Sequence, residues 1–430
     1  MNTTHYFRIL CCVLFLGAIA SCSEEENPVK DFSLGSIDAS VYVAVGDSYT
    51  AGMQSASLFE QGQMYSYPNL IAAQIKTPAF VQPLMPYPGT GELRLLSSMS
   101  PPSIVAKNPS LNPPTNVAHG TAYHNLGIPF AIMYDALDTS PIAERGTTRG
   151  NPFYQMIMRN QTAFGVSLVD QAISLNPTFM TFWLGYSDVL EYARSGGTRG
   201  TNSGLDGNPP GKFPTEIAVF QQSVQAAFAK IKAMLPNTKV LVANIPNPTK
   251  LPYFTTVPRK VANPTNPEQP LSIYYRNNDN NVISVGPNEF VLLTAQDQLK
   301  QMIGLSPSNP LPSAFVLDDA EVSTVINAVT AYNTIIYTEA LRQGFTLVDM
   351  HAYFDKLVSD GVHIAGESYS GAFITGGVFS LDGIHLSARG NGLVANHFIA
   401  AMNQAYGASI HNVQMHTLPG IPAPGTFSKR

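Results

Sequence analysis

The sequence predicts an α/β protein whose mainly parallel sheet is covered by helices on both faces. Short apolar runs rich in β-branched residues recur along the chain and are typical of buried strands: residues 41–45, 121–128, 179–184, 240–245 and 345–348. Segments with apolar residues three and four positions apart separate several of these runs, most clearly Ile217, Phe220, Val224, Phe228, Ile231 and Leu235. Strands that alternate with such helices usually pair in parallel.

The chain has 430 residues, enough for one large domain or two modest ones, and we assign residues 39–410 to a single domain. Three regions rich in Pro, Asn and Gly interrupt the alternation of strands and helices: residues 78–118, 194–213 and 246–316. Loops this long inside a compact domain are usually binding loops or lids. Residues 411–430 are predicted to form a C-terminal tail.

The composition narrows the classes of partner. Hydrophobic residues make up 44% of the chain and charged residues only 12%, with a formal net charge of −5. Lys and Arg are scattered, so no cationic stripe is available to bind nucleic acid. No His or carboxylate spacing suggests a metal, and no Gly-rich phosphate loop follows a strand, so we expect neither metal nor cofactor.

The N-terminus has the order of an export signal. Arg8 precedes an apolar run over residues 9–20, which is too short for a typical transmembrane helix and ends in small residues. Residues 1–21 are therefore predicted to be a signal peptide, and residues 22–38 a tether.

The position of Cys22 suggests a lipid anchor. The stretch Ile19-Ala20-Ser21-Cys22 resembles a bacterial lipobox, and the chain contains no cysteine after it. An ordinary cleaved signal with an incidental cysteine is the alternative. The acidic run at 23–26 resembles the surface-export tag of some Bacteroidetes lipoproteins. A solvated linker is the alternative interpretation of the same residues. We expect an exported protein, lipid-anchored at Cys22 in the bacterial outer membrane, with surface or periplasmic orientation open.

Ser48 is the first candidate nucleophile. Gly46-Asp47-Ser48 directly follows the first predicted strand, and ligands of doubly wound folds bind at the carboxyl ends of parallel strands. Free N–H groups of the segment after Ser48 could hold the negative charge on a carbonyl oxygen. The tripeptide alone is weak, because a helix cap has the same sequence.

The candidate base is His385. Asp382 precedes it by three residues, so in a tight turn the carboxylate can orient the imidazole and stabilise its charged form. An exposed turn before a helix is the alternative for this pair on its own.

Taken together, the two segments resemble the GDSL/SGNH hydrolases. Gly46-Asp47-Ser48-Tyr49 near the start of the domain and Asp382-Gly383-Ile384-His385 near its end match the order of that family's motifs. The match spans most of the domain through four short blocks. It implies a three-layer α/β/α sandwich, flavodoxin-like, on a five-stranded mainly parallel sheet, and the activity of an esterase or acylhydrolase with Ser48, His385 and Asp382 as its triad.

The resemblance also implies an oxyanion hole, and here the sequence departs from the family. Ser48 would supply one backbone N–H. The second block gives Phe130 where the family often has Gly, with Gly127 as the alternative donor. In the third block Ser187 replaces the usual Asn, and its shorter hydroxyl can still donate one hydrogen bond.

Two further alternatives remain open from the sequence. Ser368 lies in a glycine-rich stretch that resembles a nucleophile elbow, and it precedes Asp382 and His385 in the chain order of an α/β-hydrolase triad. The departures at Phe130 and Ser187 would also suit a binding lipoprotein on a catalytically weak or inactive scaffold. For the enzyme, a lipid, an acetylated glycan or a small acyl ester would each fit as substrate.

Overall fold

The structure is a computed structural model that describes residues 31–422 except 98–101, 111, 148–149, 199–212 and 264. The predicted signal peptide, Cys22, the acidic run at 23–26 and the end of the predicted tail lie outside the described residues. The lipid anchor and the export route therefore stay predictions. No helix in the described part of the chain is long and apolar enough to cross a membrane.

The strands are β1 Tyr42–Gly46, β2 Leu93–Ser97, β3 Ser103–Ala106, β4 Asn125–Gly127, β5 Phe179–Trp183, β6 Lys239–Ala243, β7 Lys260–Val261, β8 Leu271–Ser272, β9 Tyr274–Arg276, β10 Val282–Ser284, β11 Phe290–Val291, β12 Val316–Leu317, β13 Thr346–Val348, β14 Val362–Ile364 and β15 Glu367–Tyr369.

The α-helices are α1 Ser48–Ala51, α2 Glu60–Gln63, α3 Tyr67–Gln74, α4 Ile142–Thr147, α5 Phe153–Ile157, α6 Gln161–Phe164, α7 Leu168–Ser174, α8 Ser187–Ala193, α9 Ile217–Met234, α10 Pro252–Thr255, α11 Gln296–Lys300, α12 Asp319–Gln343, α13 Met350–Ser359 and α14 Ala388–Tyr406.

A five-stranded sheet forms the centre of the fold, in the order β13-β6-β5-β1-β4. Every pair in it is parallel, and Gly46 at the end of β1 is in register with both Trp183 and Gly127. When these five strands are numbered 1 to 5 along the chain and read from the β4 edge, their order in the sheet is 2-1-3-4-5, which is the flavodoxin-like order. The predicted three-layer α/β/α fold class is confirmed.

The strands of the sheet are buried because helices cover both of its faces. All five residues of β1 and all five of β5 are buried, as expected for strands with helices on both faces. Helices α3 and α14 pack on each other, and α9 packs between α7 and α12. The reversal of strand order falls between β1 and β5, so the crevice for a ligand is expected beside the end of β1.

The strand predicted over 121–128 is shorter than expected. Only Asn125–Gly127 pair with β1, while the preceding His124 donates its backbone N–H to the Val81 carbonyl oxygen over 2.8 Å. Hydrogen bonds to the irregular segment around Val81 therefore replace the sheet contacts that the apolar run suggested.

Two of the irregular regions contain regular structure. The hairpin β2–β3 lies within residues 78–118, and residues 246–316 contain α10, β7 to β12 and α11. The second region has a small core of its own, formed by Val257, Ile273, Tyr275, Val291, Ala295, Leu311 and Val316. These strands have two to five residues, which is too short for a periodic pattern to be recognised in the sequence.

The two segments that flank the predicted domain, the tether and the tail, both have residues packed against it. Within the predicted tether, Ser36 donates its backbone N–H to the Tyr406 carbonyl oxygen at the end of α14, and Ile37 is buried. Within the predicted tail, Met415 and Leu418 are buried. The described parts of both segments therefore belong to the folded unit.

Candidate active site

Ser48 begins helix α1 directly after the central strand. Gly46 ends β1, and a side chain there would overlap the Thr50 hydroxyl and the Trp183 carbonyl oxygen. Asp47 caps the helix, and its Oδ1 accepts a hydrogen bond from the Tyr49 backbone N–H over 3.1 Å. The tripeptide thus contains a helix cap, the alternative that the sequence offered for it, and it also places Ser48 at the carboxyl end of β1.

Asp382 and His385 lie in one tight turn. Gly383, at a φ of 70°, donates its backbone N–H to the Ser380 carbonyl oxygen over 2.9 Å, while Ser380 donates its own to the His385 carbonyl oxygen over 2.7 Å. The turn brings His385 Nδ1 to 2.7 Å from Asp382 Oδ2. Three residues of spacing therefore suffice to pair the carboxylate with the ring.

The Asp382 carboxylate accepts several hydrogen bonds at once. Its Oδ1 accepts from the backbone N–H groups of Ile384 and His385 over 2.9 and 2.8 Å, and its Oδ2 accepts from the Ala56 N–H over 2.6 Å. Burial alone would raise the pKa of the Asp382 carboxyl, but the His385 ring and these N–H groups hold that pKa well below its ordinary value. Asp382 is therefore ionised across the working pH range of most proteins.

The structure brings Ser48 and His385 together. Both line one small cavity, along with Asp47, Tyr186 and Ser187. The two segments are also tied directly, because the Tyr49 hydroxyl donates to the Ile384 carbonyl oxygen over 3.0 Å. The Tyr49 ring stands edge-on to the His385 ring, with centroids 6.1 Å apart. Residues from opposite ends of the domain thus meet in one site.

The two candidate oxyanion donors in the second block differ in what their N–H groups do. The Phe130 backbone N–H donates to Ser48 Oγ over 3.0 Å. The Gly127 N–H donates to Asn125 Oδ1 over 3.0 Å, and a side chain at Gly127 would overlap the backbone at Ala51. Gly127 therefore packs closely against helix α1 and its N–H already has a partner, so of these two N–H groups the Phe130 N–H is the one that reaches Ser48.

Phe130 takes a conformation that usually favours glycine. Its φ is 63°, in the left-handed region, which costs a non-glycine residue about 1–2 kcal/mol. The ring is half-buried, with its centroid 6.4 Å from that of Phe153 and 5.6 Å from the Arg194 guanidinium carbon. The left-handed conformation directs the Phe130 N–H at Ser48, and packing of the ring offsets the strain of that conformation.

Ser187 is buried and is the first residue of α8. It lines the small cavity with Ser48, and its role as the third oxyanion donor stays a prediction. The next residue, Asp188, accepts the Met133 backbone N–H at its Oδ2 over 2.7 Å.

Two buried carboxyl groups flank the site. Burial raises the pKa of Asp47 to about 7, against the opposing effects of the Tyr49 N–H and the His385 ring. Burial, together with the nearby Asp135 and Asp47 carboxylates, raises the pKa of Asp188 to about 8. Asp47 stands inside the first motif and Asp188 directly follows Ser187, but only the fold reveals that both carboxyl groups are buried.

Asp188→Asn is expected to reduce the loss of stability that accompanies a rise in pH from about 4 to about 8. Because the pKa of Asp188 is higher in the folded than in the unfolded protein, the free energy of unfolding falls as pH rises from about 4 to about 8. Each pH unit in that window costs up to about 1.4 kcal/mol per such group. An Asn can still accept the Met133 N–H but cannot ionise. Urea unfolding at pH 5 and pH 8 should show a smaller difference for the variant.

The matched control for this prediction is Asp297→Asn, since the Asp297 side chain is 80% exposed. Its pH dependence of unfolding should equal that of the unmodified chain. Equal pH dependence in the Asp188→Asn variant and the unmodified chain would contradict the role of burial at Asp188.

Ser368 lies elsewhere. It stands on the exposed hairpin β14–β15, and its Oγ is 2.8 Å from Nδ1 of His363 on the facing strand. Gly366, at a φ of 82°, lies in the turn of that hairpin and not between a strand and a helix. The local structure is therefore a β-hairpin, and the nucleophile-elbow alternative for Ser368 is wrong.

Two residues of the site carry no signal in the sequence. Ala56 supplies a backbone N–H to Asp382, and Arg194 lies beside the Phe130 ring and pairs with Glu191 over 2.7 Å. Neither role depends on a residue type in a motif. Among the described residues, no group of three or more His, Cys, Asp or Glu is placed to hold a metal ion.

Solved structures of lipases and esterases are similar to this chain at low identity. A GDSL-like lipase from Parabacteroides merdae is 12% identical with a TM-score of 0.35, covering 86% of this chain and 99% of the lipase. Phospholipase A1 from Streptomyces albidoflavus is 13% identical with a TM-score of 0.34, covering 85% and 99%. A family 3 carbohydrate esterase from Clostridium thermocellum is 13% identical with a TM-score of 0.29, covering 85% and 98%.

No protein-family model matches the chain, and no curated protein sequence matches it significantly. At these identities and TM-scores, the fold assignment rests on the strand order and register of the described sheet.

Proposed function

We propose that the chain is a serine ester hydrolase that cleaves a carboxylic ester through an acyl-enzyme on Ser48. One observation carries the proposal: the Phe130 N–H reaches Ser48 Oγ in a cavity that His385 also lines, and His385 is held by an ionised Asp382. A nucleophile, a base, an orienting carboxylate and an oxyanion donor are the parts that acyl transfer needs.

In the first half of the reaction, Ser48 Oγ attacks the ester carbonyl carbon while His385 takes the hydroxyl proton. The new C–O bond opens the carbonyl double bond, and the negative charge on the oxygen is held by the N–H groups of Ser48 and Phe130 and by Ser187. When the intermediate collapses, His385 returns its proton to the departing alcohol.

In the second half, His385 removes a proton from water, which attacks the acyl carbon. The bond from that carbon to Ser48 Oγ breaks, the acid leaves, and Ser48 regains its proton from His385. Asp382 stays ionised throughout, because the His385 ring and the backbone N–H groups that it accepts hold the pKa of its carboxyl well below its ordinary value. No cofactor takes part in this cycle.

A fluorophosphonate probe tests the proposal, since it phosphonylates an activated serine. The folded chain should be labelled, and labelling should disappear in Ser48→Ala and persist in Ser368→Ala. Absence of labelling in folded protein would instead favour a binding lipoprotein on an inactive hydrolase scaffold, the other function that the sequence left open.

The Phe130 backbone gives a sharper test of the oxyanion hole. Phe130→Gly keeps the N–H and suits a φ of 63°, so we expect kcat within about ten-fold of the unmodified chain. Phe130→Pro removes the N–H, and loss of one oxyanion donor lowers kcat by about 10²–10³-fold. Initial rates with a short ester should separate the two variants.

Circular dichroism and thermal unfolding would show that both Phe130 variants are folded, because proline cannot adopt the native φ. A fall in kcat for Phe130→Gly as large as that for Phe130→Pro, in folded protein, would contradict the assignment of this N–H to the oxyanion hole.

A further inference from the structure

A second and larger cavity adjoins the one that contains Ser48. Its volume is about 370 Å³, and His385 and Ile384 line both cavities. Phe130, whose N–H reaches Ser48, also lines the larger one. A substrate held at Ser48 can therefore extend one of its groups into this cavity, whose volume is in the range of small-molecule sites.

The wall of this cavity is largely apolar, and most of its apolar side chains are Met53, Leu93, Ile104, Leu293, Leu381 and Ile384. The two cations at the cavity are each paired with a carboxylate. Arg194 contacts Glu191 over 2.7 Å, and Lys300 contacts Asp297 over 3.0 Å. Asp382, which also lines the cavity, contacts His385 over 2.7 Å. No cation at the cavity is thus left without a carboxylate partner, which suits an uncharged, apolar ligand better than an anion.

Two of the segments predicted as irregular insertions build this wall. Leu93 and Ile104 come from the hairpin β2–β3 within residues 78–118. Leu293 and Lys300 come from the region 246–316, and Leu293 packs against the small core of that region. The cavity is therefore a property of this chain's additions to the central sheet.

We infer that this cavity binds an aliphatic hydrocarbon chain of the ester, and this inference rests on the proposed ester hydrolysis at Ser48. Burying one methylene group favours binding about four-fold when the group is fully desolvated. The structure thus assigns aliphatic esters as the substrate class, in preference to acetylated sugars, which present hydroxyl groups to such a wall at a desolvation cost.

The first arm of the test compares three esters by titrating the acid released from the full chain. Methyl acetate is the baseline, methyl octanoate lengthens the acyl side, and octyl acetate lengthens the alcohol side. We expect kcat/KM to rise by at least about ten-fold for one of the long esters, because several methylene groups are buried. The ester that gains identifies which side of the substrate enters the cavity.

The second arm fills the cavity from the hairpin. Ile104 lies in it, whereas the next residue, Val105, is 41% exposed and projects from the other face of the strand. Ile104→Trp should lower the ratio of kcat/KM for the preferred long ester to that for methyl acetate by about ten-fold. Val105→Trp, the matched control, should leave that ratio unchanged.

Leu293→Trp fills the same cavity from the facing wall and serves where Ile104→Trp does not fold, as judged by circular dichroism. If methyl acetate is hydrolysed but neither long ester is preferred, or if Val105→Trp lowers the ratio as much as Ile104→Trp, this inference is overturned and the proposed ester hydrolysis stands. If folded protein hydrolyses none of the esters, both are overturned.

Discussion

Replacing Ser48 with alanine is expected to lower kcat/KM for ester hydrolysis by about 10⁴–10⁶-fold. The substitution removes the only atom of the side chain that can form the acyl-enzyme, and it leaves water as the nucleophile. The fold should tolerate it, because Ser48 Oγ accepts the Phe130 N–H but no helix cap depends on the hydroxyl. Initial rates with the best ester of the series would measure the loss.

The control is Ser368→Ala on the exposed hairpin β14–β15, for which we expect rates within about two-fold of the unmodified chain, as for most surface substitutions. Retention of more than a hundredth of the activity in Ser48→Ala would mean that another group attacks the ester. Loss of activity in Ser368→Ala, with Ser48→Ala active, would transfer the chemistry to the hairpin.

Replacing Asp382 with asparagine is expected to lower kcat by about 10⁴-fold, because an amide N–H facing His385 Nδ1 stabilises the wrong tautomer of the ring. The effect on stability should also be large. Both carboxylate oxygens accept backbone N–H groups, from Ile384 and His385 at Oδ1 and from Ala56 at Oδ2. An asparagine has one acceptor oxygen, so at least one of these N–H groups loses its partner, at a cost of about 1–3 kcal/mol.

Ser380→Ala separates these two effects. The Ser380 hydroxyl donates to Asp382 Oδ1 over 3.2 Å, so its removal weakens the support of the carboxylate but keeps the correct tautomer of His385. We expect a loss in kcat of no more than about ten-fold, in line with one hydrogen bond to a charged group. Thermal unfolding and kcat would be measured for both variants. Equal losses of kcat would show that Asp382 acts through the fold of the turn and not through the ring.

The parts of the site that the sequence predicts are those held by local structure. Gly46, Asp47 and Ser48 are consecutive, and a buried strand that ends at a glycine fixes where the serine stands. Asp382 and His385 are paired by a single turn that needs only the left-handed conformation of Gly383. Short-range geometry of this kind depends on a few backbone angles, which the residue types constrain directly.

The strand predictions were also accurate where local sequence controls the structure, and they were inaccurate where contacts with a distant segment shorten a strand. The apolar run at 179–184 forms the buried strand β5 over nearly the predicted residues, whereas the run at 121–128 contributes only Asn125–Gly127 to the sheet. Apolar residues report burial and not the partner of the backbone, so contacts with the segment around Val81 could shorten the strand without a sign in the sequence.

By itself, the sequence determined the α/β class, the place of Ser48 after the first strand and the pairing of Asp382 with His385. Only the tertiary structure shows that the Phe130 N–H reaches Ser48 while the Gly127 N–H contacts Asn125, because the direction of a backbone N–H depends on φ and on ring packing, not on the residue type. It also placed Ser368 on a hairpin of its own and brought two insertions beside His385 to enclose an apolar cavity. These are contacts between segments far apart in the chain, and no local pattern encodes them.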